Sequence, residues 1–571
     1  MAAFPHLSAT GPAPTYLKVA AVYRREFYKH VAEGSLRPIV FPYHLYGFFL
    51  LLTYLCIPHT KRPYLYKARW LVLGAIAAFQ WKTLCETSSA SITTAFAAGL
   101  VSSWVLVLSV TWLVFYRPQF DSMRVELRMT SGVGNGGRRA GDGEQVDASR
   151  DGRCLENSHL RRRQKASGHT NGEAKRGVQD YESTKLSHFF PRHCKANFCL
   201  LEEEPKPGPH QLSEYYWQSY PDKLSERINW VMDHMLNFRG PGWNWAIPVL
   251  PTYPPSVKQA LGEDPSVESK TGVSRIGFKR PDTRKQLFWD RVPRFIAGYF
   301  LLDATKTFLM KDPYFVFGPT TYDPPPYFQN LSPPALWFIR QTTTGFALIL
   351  ALEVAFLTGS IMQCLVLGPK VLGLRGYAWQ YSTNWGSATN VLNKGLNGFW
   401  GSFWHQTFRF AFAAPTNFLI RNKYIEARST AAKFLGLFFA FGISGFLHLA
   451  GSVSQLPQTY PWNSMILFLL QPIGILIQAT ACSYLRPSIE KLPKMCRQAG
   501  NLLYTLIFLF STCWLMGDDF ARGGVWLFEP VPISPLRGLG YGVEGDGWWC
   551  WGHIGVGWYT GAHWWESGVA F

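Results

Sequence analysis

Phe438-Phe-Ala-Phe-Gly-Ile-Ser-Gly-Phe-Leu-His-Leu-Ala450 decides how this chain is read. Together with the residues back to Ala431, it has about the 20-residue length that crosses the hydrocarbon core of a bilayer. His448 is the exception to its apolar character. An ionisable side chain at that depth costs several kcal/mol unless it is neutral, paired or in a wet cavity. Histidine is also the commonest general base near neutral pH. The stretch therefore predicts a membrane helix with a candidate base inside it, set against the plainer reading of a buried structural histidine.

Working outward, further apolar runs cover 38–57, 69–85, 92–116, 335–367, 462–481 and 500–516. Weaker runs at 292–311 and 376–402 carry polar residues, as re-entrant segments or helices buried against other helices do. The fold class expected is all-α, a polytopic transmembrane helical bundle of about seven to nine spans. The 571 residues are 47% apolar and 16% aromatic, with only 16% charged, which excludes a soluble enzyme and a disordered chain.

The net charge of +19 does not mark a nucleic-acid binder, because the basic residues are scattered over loops between apolar runs. The densest cluster, Arg161, Arg162, Arg163 and Lys165, lies in low-complexity sequence. Basic loops beside spans obey the positive-inside rule and suit anionic headgroups or an anionic substrate such as coenzyme A. They put 58–69, 117–290 and 483–498 on the cytosolic side. The basic N-terminal segment (Lys18, Arg24, Arg25, Lys29) conflicts with that scheme and is expected to lie on the membrane surface as an amphipathic piece. No cleavable signal peptide is visible, so the first apolar run is expected to stay as a span.

Three regions follow: N-terminal transmembrane segments over 1–123, a disordered basic cytosolic insert over 124–212, and a catalytic region with transmembrane helices over 213–571. Ten dispersed cysteines form no disulfide framework. Cys194 and Cys199 with His188 and His193 fit no closed zinc pattern, so no metal is expected.

Three segments carry candidate chemistry. Asn237-Phe-Arg-Gly-Pro-Gly-Trp-Asn-Trp245 follows Arg227 and Trp230, and combines an arginine, glycine amides and tryptophans that can meet phosphate and a stacked ring. Its alternative is an interfacial aromatic anchor closed by a turn. Phe399-Trp-Gly-Ser-Phe-Trp-His405-Gln-Thr-Phe-Arg409 puts His405 and Arg409 on one helical face beside Trp404. Here the alternative is an aromatic belt. The third segment is the His448 helix, whose Gly442, Ser444 and Gly445 allow close helix packing or leave room for a substrate. Asp303 and Lys306, at i and i+3, are expected to form a structural ion pair. Glu353 has no partner visible in sequence.

Taken together, the 237–245 and 399–405 stretches, Ser444-Gly-Phe-Leu-His448 and the terminal His563-Trp-Trp-Glu-Ser-Gly568 resemble the membrane-bound O-acyltransferase superfamily. More narrowly they are similar to its fungal wax synthase-like branch, whose members acetylate terpenoid and meroterpenoid alcohols. The resemblance spans residue 225 to the end. It implies that His448 is the invariant intramembrane histidine and base, and that His405 takes the second polar position, asparagine or histidine in different branches.

It also implies an acyl-CoA co-substrate, acetyl-CoA favoured, with no other cofactor. Arg239, Trp243, Asn244, Trp404 and Arg409 are then the candidate coenzyme-binding residues, and a lipophilic alcohol and membrane lipids are the partners. The protein would be a multi-pass one of the endoplasmic reticulum. Ser402 and Phe403 stand where relatives usually carry a basic residue, and Tyr541–Trp558 is unusually rich in Gly and Trp. No Gly-x-Ser-x-Gly nucleophile motif is present. A long-chain wax-ester synthase is the alternative, and a transporter or noncatalytic scaffold a more remote one.

Overall fold

A computed structural model describes residues 13–131, 211–263, 272–457, 459–552 and 556–571. Most of the expected 124–212 insert lies outside them, including the Arg161 cluster and the Cys194/Cys199 group with its histidines. The described residues are mainly helical, with three small sheets. Five helical stretches are long and apolar enough to cross a membrane: Ile92–Phe115, Pro333–Gly376, Thr430–Val453, Pro461–Tyr484 and Lys494–Arg522.

The other apolar runs take different forms. The 38–57 run is broken at its start, where Pro38 and Pro42 lack the amide a helix needs. Val40 and Phe41 instead pair as a strand with Ala570 and Val569, joining the start of the chain to its end. Only Tyr46–Cys56 is α-helical there, an 11-residue piece. The 292–311 run belongs to a 26-residue helix, Arg284–Leu309, whose charged residues keep it out of the apolar set.

Two expectations are corrected. The edges of the 124–212 insert are ordered: Arg124–Ser131 and Gln211–Gln218 are strands of one two-stranded sheet. Val125 and the Tyr215-Tyr216-Trp217 run favour a half-buried pleated surface. Arg124 ties the sheet down, donating to Gln218 at 2.8 Å and pairing with Asp233 at 3.2 Å. Asp303 and Lys306, in turn, do not pair with each other. Asp303 accepts from the Ser534 hydroxyl and the Leu536 amide and faces Arg537 at 4.0 Å. Lys306 donates to the Trp526 carbonyl at 2.7 Å and faces Glu529 at 3.7 Å. One helix turn separates the two residues, but the C-terminal segment supplies each with its own counter-charge, which sequence separation could not show.

The His448 helix, Thr430–Val453, starts at Ser429, whose hydroxyl caps the Ala432 amide at 3.1 Å. It packs against Ile92–Val110, Arg409–Arg421 and Pro461–Tyr484. Glycines permit the closest of these approaches. A Cβ on Gly99 would stand 2.3 Å from the Ala450 carbonyl oxygen, and one on Gly445 would stand 2.7 Å from the Met465 sulfur. Glycine on each side thus seats the histidine helix between two neighbours and fixes its rotation.

Candidate active site

His448 lies one helical face along from Phe441 and Gly445, toward the Pro461–Tyr484 helix. Its ring packs edge-on against Phe468, with centroids 4.8 Å apart. Phe468 is backed by Trp400, whose indole N–H donates to Gln471 Oε1 at 3.0 Å. Gln471 is fully buried and completes its bonding with the Leu467 carbonyl and the Thr512 hydroxyl. The neutral amide satisfies the indole without placing a charge among membrane helices, as a low-dielectric site requires.

His405 arrives by irregular chain. Thr389–Gly398 runs into a single π turn over Phe399–Phe403, and the backbone then leaves helical geometry at Trp404. The Gln406 side-chain amide donates to the Trp400 and Trp404 carbonyls at 2.8 and 2.7 Å, and Arg409 holds Gln406 Oε1 at 2.7 Å and the Gly401 carbonyl at 3.1 Å. Such π turns recur at functional sites because they spill one residue out of register. Here the spilled chain aims His405 inward, between Trp404 (5.3 Å), Phe356 (5.5 Å), Trp385 (6.0 Å) and Phe408 (6.1 Å).

His405 lies within electrostatic reach of both His448 and Arg239. Both imidazoles sit deep in the protein yet keep some accessible surface. In each ring Nδ1 is buried with no hydrogen-bond partner, and among the described residues none is seen to bond Nε2. Buried polar atoms are normally paired, so two imidazoles bonded through neither nitrogen and within electrostatic reach of each other make a candidate site for a hydrogen-bonding ligand.

The candidate coenzyme ligands divide into two groups. Trp404 is at the site, beside His405. Arg239 is near it, but its terminal nitrogens hold the Thr383 and Ser382 carbonyls at 2.9 and 3.1 Å. Arg409 is engaged in bracing the His405 loop. Trp243 is 1% exposed within a cluster of Trp230, His234 and Trp245, and Asn244 staples its turn to Asp121 and Met123.

Sequence reading left Glu353 unassigned and missed Phe356, Trp385, Phe468 and Gln471. Glu353 carried a signal, a carboxylate in an apolar run. Its partners proved to be Arg294 and the Trp385 indole, which donates at 2.8 Å. Phe356, Trp385, Phe468 and Gln471 carried none beyond membership of apolar or aromatic sequence.

The class these features define is a polytopic helical membrane protein with a histidine pair in its interior. Residues 381–470, which hold both histidines, match the model of the membrane bound O-acyl transferase family. It is similar to the acetyltransferase spyB of Aspergillus fumigatus, 30% identical over 146 residues, covering 25% of this chain and 24% of that protein. It is similar to the acetyltransferase ataH of Aspergillus terreus, 33% identical over 150 residues, 24% of this chain and 47% of that one. The O-Mevalon transferase yanI of Aspergillus niger is 25% identical over 325 residues, 53% of this chain and 62% of that one. The matched segments thus span from a quarter to about three fifths of these relatives' own length. No solved structure shows a significant match.

Proposed function

We propose that this protein is an acyl-CoA-dependent O-acyltransferase that acylates a hydroxyl of a lipophilic acceptor in the membrane. The observation that carries the reading is the presence of two imidazoles without hydrogen bonds, His405 and His448, within electrostatic reach of each other inside the segment that matches the family model. His448 Nε2 takes the hydroxyl proton as the alcohol oxygen attacks the thioester carbonyl. His405 donates a hydrogen bond to the developing oxyanion, collapse breaks the C–S bond, and the imidazolium returns its proton to the coenzyme thiolate. A positioned base contributes roughly 10²–10⁴-fold and an oxyanion donor roughly 10²–10³-fold, so the two groups carry much of the acceleration. No nucleophilic serine or cysteine is required.

Of the coenzyme contacts, Trp404 and Arg239 are retained as candidates because they stand beside His405. Arg409, Trp243 and Asn244 are reassigned to holding the surrounding chain. Acetyl is the favoured donor, supported by two relatives named acetyltransferases. The relative named O-Mevalon transferase, which is matched over the greatest length, favours a larger acyl group as the second reading. A terpenoid or meroterpenoid acceptor and residence in the endoplasmic reticulum follow from the family resemblance.

Membranes carrying the protein, incubated with labelled acetyl-, malonyl- or palmitoyl-CoA and a panel of terpenoid and fatty alcohols, test the reading. Ester formation that depends on His448 supports it, and the preferred donor separates the acetyltransferase from the wax-ester synthase. Equal turnover by wild type and His448→Ala would refute the assignment of the base.

A further inference from the structure

Among the described residues no hydrogen bond orients the His405 ring, so its attitude is set by the four rings around it. Among the described residues, Trp385 is the one of these four whose side chain is itself tied by a hydrogen bond, through its indole N–H to Glu353 Oε2 at 2.8 Å. Glu353 and Phe356 occupy one turn of the long apolar Pro333–Ser360 helix, at i and i+3, and so share a face. From that face Glu353 holds Trp385 and Phe356 packs against both Trp385 (6.3 Å) and His405 (5.5 Å). The Trp385 ring also meets Trp404 edge-on at 5.2 Å.

Three further contacts make this a built arrangement. The Arg294 guanidinium bonds the other Glu353 oxygen, so the carboxylate, 19% exposed, is bound on both sides. The backbone that carries Trp385 is fixed by Arg239 on the preceding carbonyls of Ser382 and Thr383. On the other side, the Gly386 amide donates to the Phe403 carbonyl at 3.0 Å, pressing this segment onto the His405 loop. A carboxylate in an apolar helix is costly and is kept where it does something. Simple packing of a tryptophan against a helix would not need one.

From this we infer that Glu353 is a positioning residue for His405, acting through the Trp385 indole, which it locks in the orientation that walls the imidazole. The inference rests on the acyltransferase reading for its kinetic consequence, though its structural content stands apart from it. Its chain of action is Glu353 to Trp385 to His405, so no atom of Glu353 needs to touch substrate.

Four variants separate the links. Glu353→Ala removes the acceptor, Trp385→Phe removes the donor but keeps an aromatic ring, Glu353→Gln keeps an acceptor oxygen without the charge, and Arg294→Ala removes the ion pair alone. The expected result is a fall in kcat of about tenfold or more for Glu353→Ala and Trp385→Phe, with KM for acyl-CoA within about twofold, since a mis-set group is felt mainly in the transition state. The double variant should be no worse than the poorer single, because both break one link. Glu353→Gln and Arg294→Ala should stay within about threefold of wild type if the indole bond is the operative contact.

A readout independent of turnover is carbethoxylation of His405 by diethyl pyrocarbonate, followed by peptide mass spectrometry. Its rate should change several-fold in Glu353→Ala and Trp385→Phe, while the His448 peptide is unaffected. Failure of Glu353→Ala to fold leaves Trp385→Phe to decide. Unchanged kcat with an unchanged His405 modification rate, or multiplicative single effects, would overturn the proposal. A wild-type protein inactive with every donor would instead refute the acyltransferase reading, and the carbethoxylation comparison would still decide the positioning role.

Discussion

Two of the places where the described residues bury histidines among aromatic rings are built to opposite ends. His234 is 1% exposed, with Trp112 at 3.9 Å, Trp243 at 4.7 Å and Trp230 stacked at 5.1 Å, and its Nε2 is hydrogen-bonded to the Ser122 hydroxyl at 3.1 Å. His405 and His448 have aromatic walls too, but keep accessible surface, no hydrogen bond and each other's company. Burial among rings alone does not make a site. His234 is sealed by packing and bonded through Nε2, though its Nδ1 also lacks a partner, whereas the more open pair is bonded through neither nitrogen and is the one proposed to receive a substrate.

The comparison breaks most visibly at His448. His448→Ala should lower acyl transfer by at least about 10³-fold while leaving detergent-extracted yield and melting temperature unchanged, a split a structural histidine would not give. Activity per folded molecule against thermal melting measures it. At the sealed cluster the pattern reverses. Trp243→Ala should cost about 3–5 kcal/mol of stability by opening a large cavity, seen as lost yield and a lower melting temperature, with the folded remainder still active. Full stability with lost turnover would return Trp243 to the coenzyme site.

His405→Ala should cost about 10²-fold in kcat, as loss of one oxyanion donor does, and His405→Asn should recover part of it because the amide still donates. Equal loss in both would point to a role that only imidazole fills. The last test is in pH, where the slope per unit is modest. Burial, helped by the nearby Arg124 guanidinium, pulls the His234 value down to about 3. The folded value lies below the ordinary one, so between about 3 and 6.5 the unfolded chain binds the extra proton. The stabilisation is complete above about pH 6.5 and is lost on acidification by at most about 1.4 kcal/mol per pH unit. Melting scans from pH 7 to pH 4 should show a slope for wild type that flattens in His234→Phe.

Much of this was legible in residues. His448 declared itself by sitting in an apolar run, and His405 by standing beside Trp404 at the right distance before it. The coenzyme-binding candidates were less legible. Asn237–Trp245 has the composition of a phosphate-and-ring site, yet Trp243 and Asn244 serve the local core. Composition states what a residue can bond, and only packing states what is left for it to bond. Glu353 showed the same gap from the other side: an isolated carboxylate in sequence, but held between Arg294 and Trp385 in space.

By itself, then, the sequence determined the helical membrane class, through runs whose backbone must be satisfied internally in lipid, and it determined which ionisable groups were too costly to be incidental. Tertiary structure decided the rest. It broke the first apolar run at prolines, gave Asp303 and Lys306 separate counter-charges, sealed His234 and brought His405 within electrostatic reach of His448. The physical reason is that periodicity and composition constrain one element at a time. Pairing, exposure and electrostatic reach belong to contacts between residues tens to hundreds of positions apart.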